Sequence, residues 1–167
     1  MRFSFIVLTL LFVSMFPFQA SAQTARQYEE CINMTKGQGA AIDAEDWVEV
    51  IAITNRSFSR CANISSEEIK VSGLLYRGIA YYKLRNLASA LSDMRLCLSR
   101  QYANHQCRYW VAAILFEQGD LSGAMVEKER ARRIAQGVIN AGGDTEDELF
   151  EIRMARSTLK NLADLAF

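Results

Sequence analysis

Proline and histidine are almost absent from this chain. Pro17 is the only proline and His105 the only histidine among its 167 residues. Because proline breaks helices and none follows residue 17, long helices meet no such obstacle in the rest of the chain. One histidine and no CxxC pair also provide too few ligands for a typical zinc site and no thioredoxin-like motif. We therefore expect no metal and no cofactor.

The chain also has no excess of positive or negative charge. The chain has 19 basic and 19 acidic residues, so its formal net charge is zero. Proteins that bind nucleic acid need a field of basic groups facing the phosphates, so we do not expect nucleic acid as a partner. Beyond the amino terminus no segment is apolar enough to span a membrane.

The amino terminus has the order of a secretory signal peptide. Arg2 precedes an apolar run over residues 3–18, and the small residues Ala20-Ser21-Ala22 follow. This run is shorter than the roughly 20 residues that cross a bilayer as a helix, although an uncleaved anchor is the alternative. We predict a signal peptide over residues 1–22 and one secreted or periplasmic domain over residues 23–167.

All four cysteines lie beyond the predicted signal peptide, at positions 31, 61, 97 and 107. An even number of cysteines in an exported chain favours disulfides, because the compartment is oxidising. Two disulfides are therefore predicted, and four buried thiols are the alternative.

The spacing of apolar residues predicts helices throughout, with breaks where helix-forming residues become sparse. These breaks fall at residues 36–39, 62–66, 101–104 and 141–144, and Gly37-Gln38-Gly39 is interpreted as a linker. Ser65 and Glu68 have the spacing of a capping box. Asp144 is predicted to cap a last helix, whose apolar face carries Leu149, Ile152, Leu159, Leu162 and Leu165.

Comparing the chain with itself indicates an internal repeat. We use the offset that aligns Gly78 with Ala112 and call it the repeat offset; at this offset residues of similar size coincide. Small residues coincide where two helices would touch, and large ones where the gap between them must be filled. The small pairs are Gly78 with Ala112, Ala90 with Ala124 and Cys97 with Ala131, and the large pairs are Tyr81 with Leu115 and Leu87 with Leu121.

The segment over residues 74–84, with Gly78 and Tyr81, resembles the first helix of a tetratricopeptide repeat. Residues 87–98, with the small Ala90, resemble the second helix. Arg77 stands where the family usually has leucine, and the usual proline at the end of the repeat is absent. The clearest repeats are residues 71–104 and 105–138, and residues 46–51 resemble the second helix of a further, degenerate unit. The resemblance implies an all-α, right-handed stack of two to three helix pairs with a capping helix over residues 144–166.

In this family the first helices line a concave groove that binds proteins. Carried over to this chain, the groove would be lined by Ser72, Leu75, Ile79, Tyr82 and Lys83 of one unit and by Gln106, Tyr109, Ala113, Phe116 and Glu117 of the next. Leu75 and Ile79 stand where the members that grip a terminal carboxylate have Lys and Asn, so that activity is not implied. Such a groove suits an apolar or helical segment of a partner. Alternatively, the N-terminal segment or the last helix covers it.

The repeat layout also predicts which cysteines pair. Cys97 lies near the end of one helix and Cys107 near the start of the next, on either side of one loop, so their Cα atoms come within reach of a disulfide. Cys31 is then left to pair with Cys61.

No arrangement of residues indicates catalysis. His105 has no partner at a convincing spacing, and we expect it at the surface. The charge run over residues 127–133 has Glu129 near Arg132 and Arg133, as on a solvated helix face, and a cationic patch for an acidic partner is the alternative. We therefore predict a non-catalytic interaction or scaffolding module. The resemblance to small periplasmic repeat proteins implies, by analogy, a place in the bacterial periplasm or cell envelope. The alternatives are an accessory subunit of an envelope enzyme and a hydrolase with an unrecognised site.

Overall fold

A computed structural model describes residues 4–165 of the chain, and the side chains of residues 24–165. The described part is all-helical. Its helices are α1 (Ser4–Asp43), α2 (Trp47–Arg60), α3 (Glu67–Lys83), α4 (Leu87–Arg100), α5 (His105–Glu117), α6 (Leu121–Ala141) and α7 (Glu146–Asp164). The predicted signal peptide, residues 1–22, lies outside the residues whose side chains are described. No helix in the described part combines the length and apolar character needed to cross a bilayer.

Three tight turns join the helices into pairs: α1 with α2, α3 with α4, and α5 with α6. In each turn a residue with positive φ precedes the N-cap of the second helix; these residues are Glu45, Arg85 and Gly119. The caps Asp46, Asn86 and Asp120 then each accept a hydrogen bond from the backbone N–H three residues later. The second and third turns are separated by the repeat offset, and the first and second by a slightly longer interval. The same turn, with a positive-φ residue followed by an N-cap, is thus used three times.

The helices follow one another in space as they do in sequence. Besides these neighbouring contacts, α3 packs against α5, and α5 packs against α7. Among the described residues, no Cα atoms of the alternate helices α2, α4 and α6 come within 8 Å of one another. The odd-numbered helices α3, α5 and α7 therefore form one contiguous layer. A core of Leu74, Met94, Cys97, Ile114 and other buried residues joins α3 to α6.

Gly78 allows α3 and α4 to approach closely. A Cβ atom at this position would lie 2.7 Å from Met94 Cε and 3.3 Å from Asp93 Cβ. The latter atom is fixed to the backbone of α4, so a larger residue would push the two helices apart. The small residue found by comparing the repeats is thus required by packing.

The predicted linker at Gly37-Gln38-Gly39 is wrong, because these residues lie inside α1. Glycine weakens a helix by only about 1 kcal/mol, which burial nearby can offset. Ala41, one turn further on, is buried against Val50 and Ile53 of α2. Packing between the two helices therefore overrides the local preference for a break.

Three smaller predictions about helix ends and faces are corrected. Ser66, and not Ser65, caps α3, since its side chain accepts a hydrogen bond from the N–H of Ile69. Thr145, and not Asp144, caps α7 and forms a capping box with Glu148. Leu149 is 43 % exposed, because the buried face of α7 begins one turn later, at Ile152.

Candidate functional site

An aromatic patch, consisting of Tyr82, Tyr109 and Trp110, crosses the layer of odd-numbered helices. Tyr82 comes from the end of α3, and the other two residues come from α5. The ring centroid of Trp110 lies 5.1 Å from that of Tyr82 and 5.0 Å from that of Tyr109. These distances are typical of attractive tilted ring pairs. All three side chains are only partly buried, so the patch offers apolar area to solvent.

A carboxylate forms the polar edge of the aromatic patch. Tyr82 donates its hydroxyl hydrogen to Glu117 Oε1, and Arg85 Nη1 lies 2.5 Å from Glu117 Oε2. Burial, followed by the hydrogen bond and the negative charge of Glu117, raises the pKa of Tyr82 to about 12. Burial, and then the charge of Asp164 on α7, raises the pKa of Tyr109. Both phenols are therefore neutral hydrogen-bonding groups at neutral pH, and neither is an activated nucleophile.

The structure brings together only part of the predicted groove. Tyr82, Tyr109 and Glu117 lie around one patch. Leu75 and Ala113 do not line a surface, since they are 5 % and 3 % exposed.

The other predicted groove residues have different surroundings. Ile79 and Phe116 are partly buried and pack against the core. Lys83 turns toward the first helix pair, with its Nζ 5.6 Å from the ring centroid of Trp47.

Sequence reasoning missed two members of the site, Trp110 and Arg85. Trp110 holds the central ring of the aromatic patch, and its position beside Tyr109 was a usable signal. Arg85 lies in a turn and has a positive φ of 63°. Such a turn conformation is usually recognised in a sequence by a glycine, and this position has none.

The prediction that His105 lies at the surface is wrong. His105 is 5 % exposed, and its Nδ1 lies 2.9 Å from Thr158 Oγ1 of α7. It begins α5, and its contact with Thr158 places α7 against that end of the helix. Burial lowers the pKa of the imidazole, which favours its neutral form. His105 thus joins α5 to α7 through its contact with Thr158.

We expect acidification to weaken the fold through His105. The unfolded histidine, with its ordinary pKa of about 6.5, takes up a proton before the folded one does. The stability is therefore complete above about pH 6.5 and is lost as pH falls toward the lower pKa of the folded state, by at most about 1.4 kcal/mol per pH unit. Urea unfolding at several pH values above about 5.5 measures this slope, because carboxylates titrate mostly below that range. The His105→Gln variant should lack the slope, and an equal slope in both proteins would contradict the assignment.

Two largely buried ion pairs occupy related places in successive helix pairs. Arg77 of α3 binds Asp93 of α4 through two hydrogen bonds of 2.7 Å. Arg108 of α5 binds Glu127 of α6 at 2.6 Å, and the repeat offset carries Asp93 onto Glu127. The prediction that the charge run lies on a solvated helix face is wrong for Glu127, because this residue forms an ion pair with the buried Arg108.

An aromatic ring stacks on the arginine of each pair. The guanidinium carbon of Arg77 lies 4.9 Å from the ring centroid of Phe58, and that of Arg108 lies 4.3 Å from the ring centroid of Tyr102. Stacking on a ring suits the weakly hydrated guanidinium group. The predicted pairing of Glu129 with Arg132 and Arg133 is confirmed, at 2.8 and 3.6 Å.

Both predicted disulfides are present. Cys31 pairs with Cys61 at a Cα–Cα distance of 5.9 Å, and Cys97 pairs with Cys107 at 6.5 Å. Two disulfides are compatible with an oxidising compartment. Among the described residues, no cluster of three or more histidine, cysteine or acidic side chains could hold a metal ion.

No protein-family model matches the chain, and a search of curated proteins finds no match.

Proposed function

We propose that this protein is an exported repeat protein of the tetratricopeptide type that binds a partner protein and has no catalytic activity of its own. The recurring turns at Glu45, Arg85 and Gly119 and the layer formed by α3, α5 and α7 support the repeat architecture. The two disulfides support a role outside the cytoplasm, and we place the protein in the bacterial periplasm or cell envelope.

The aromatic patch is the observation that carries the proposed binding role. Tyr82, Tyr109 and Trp110 hold one another in place, so little side-chain freedom is lost when a partner covers them. Tyrosine and tryptophan are the residue types that most often dominate binding energy at interfaces. The partner we propose is an apolar or amphipathic helix that lies on the rings and places a hydrogen-bond donor beside Glu117.

The last helix leaves this patch partly open. α7 packs over the start of α5, where it buries His105, and its Asp164 influences Tyr109. Tyr82, Tyr109 and Trp110 nevertheless keep intermediate exposure. This arrangement favours a surface that a partner completes.

Photo-crosslinking tests the proposal. A benzoylphenylalanine in place of Tyr109 should attach to one partner in envelope extracts. The same group in place of Tyr28, which is 58 % exposed on α1, should not capture that protein. Capture of the same protein from both positions, or of none from position 109, would contradict the proposal.

Calorimetry with the purified partner gives the size of the effect. The Tyr109→Ala variant should bind about 30-fold more weakly, since truncating a central aromatic residue costs about 2 kcal/mol or more. Tyr28→Ala should bind like the unmodified protein, and circular dichroism should show that both variants are folded. If the captured partner is an enzyme whose rate changes on binding, the protein is an accessory subunit of it.

A further inference from the structure

A cavity of about 320 Å³, which we name the α2–α4 cavity, lies between these two helices and has α3 along one side. This volume is at the lower end of the range of about 300–1,000 Å³ found for small-molecule sites. Three large apolar side chains, Phe58, Leu74 and Leu96, line it together with Ala62. The aromatic patch contributes nothing to this cavity, so the two sites are separate.

Cationic side chains also line the α2–α4 cavity, and not all of their charge is neutralised within the described part of the chain. Lys70 Nζ lies 3.1 Å from Glu67 Oε1, and Arg100 Nη1 lies 2.8 Å from Glu67 Oε2. One carboxylate therefore serves two cations, which leaves one positive charge in excess. The third cation, Arg77, is neutralised by its bidentate pair with Asp93.

The repeat provides a second cavity for comparison, named here the α5–α6 cavity, with a volume of about 310 Å³. The repeat offset carries Leu74 and Leu96 onto Arg108 and Arg130, which line this second cavity. The α5–α6 cavity is therefore mainly basic. Of these two cavities, it is the α2–α4 cavity that combines an apolar wall with excess positive charge.

We propose that the α2–α4 cavity binds a small amphipathic carboxylate, of the class of medium-chain fatty acids. The aliphatic tail lies against Phe58, Leu74 and Leu96, where it is removed from water. The carboxylate lies between Lys70 and Arg100 and supplies the second negative charge that these two cations lack.

Octanoate is the probe, titrated into the oxidised protein and followed by amide chemical shifts. Binding should saturate, and the largest shifts should come from residues around Leu74 and Leu96. Octanol, which has the tail without the charge, and butyrate, which has the charge with a shorter tail, should each bind at least about tenfold more weakly. Equal affinity for octanol, saturable shifts around the α5–α6 cavity only, or no saturation with octanoate would overturn the proposal.

Variants separate the contributions of the tail and the charge. Leu96→Ser, which shortens the apolar wall without adding a charge, should weaken octanoate binding at least about tenfold. Leu84→Ser is the matched control, since Leu84 is 45 % exposed and Leu96 is 44 % exposed. Lys70→Gln should weaken octanoate and leave octanol unchanged. A parallel loss of both ligands would show that no charge recognition occurs.

Discussion

Replacing Asp93 with alanine is expected to lower the free energy of unfolding by about 3–5 kcal/mol. Asp93 is 6 % exposed and neutralises Arg77 through two hydrogen bonds. Its removal leaves the guanidinium group of Arg77, whose side chain is only 18 % exposed, without its counter-ion. Urea unfolding of the oxidised protein, followed by far-UV circular dichroism, measures the change.

A surface pair of the same chemistry is the matched control. Glu49 and Arg56 lie 2.8 Å apart, with side chains that are 46 % and 51 % exposed. Glu49→Ala should therefore cost less than about 1 kcal/mol. The double variant Arg77→Met/Asp93→Leu should recover part of the loss, because it removes both charges of the pair but also the hydrogen bond from Arg77 to Asn55. If Asp93→Ala costs no more than Glu49→Ala, the pair is solvated in solution and our description of it is wrong.

Removing the Cys31–Cys61 disulfide is expected to destabilise the protein by about 3–4 kcal/mol, according to the entropy of the loop that it closes. The bond joins α1 to the residue that follows α2 and spans 30 residues of sequence. The Cys31→Ser/Cys61→Ser variant should unfold at a correspondingly lower urea concentration, because its unfolded chain has more conformations.

The second disulfide provides the comparison for the first. Cys97 and Cys107 are only 10 residues apart, so the Cys97→Ser/Cys107→Ser variant should lose a smaller amount, about 2–3 kcal/mol. Peptide mapping without reduction should show the two linked peptides in the unmodified protein. A linkage between Cys61 and Cys97, or a larger loss from the shorter loop, would contradict the arrangement described here.

The helices from α3 to α6 could be predicted from the sequence because contact between paired helices demands small residues at fixed intervals. Gly78 and Ala90 recur as Ala112 and Ala124 for this reason, and all four are buried. The continuity of α1 through Gly37 and Gly39 could not be predicted, because it depends on packing against a second helix.

The candidate site was less accessible to sequence reasoning. Arg77 was visible as a departure from the repeat pattern, but its acid, Asp93, lies on another helix. His105 was placed at the surface because the helix that buries it begins much later in the chain, at Glu146. In both cases the partner residue is determined by tertiary packing, and the local spacing of residues in the sequence gives no information about it.

The placement of the disulfides has a mechanical consequence. Cys97–Cys107 fastens the second helix pair to the third, whereas Cys31–Cys61 closes the first pair upon itself. Neither disulfide therefore crosses the turn between α2 and α3. Arg77 spans this joint instead, since it donates a hydrogen bond to Asn55 of α2 at 2.6 Å and stacks on Phe58. Under tension or partial unfolding, the first pair should separate as a unit at this joint, where Arg77 adds a polar contact to the packing of Ala80 of α3 against Val50 and Ile53 of α2.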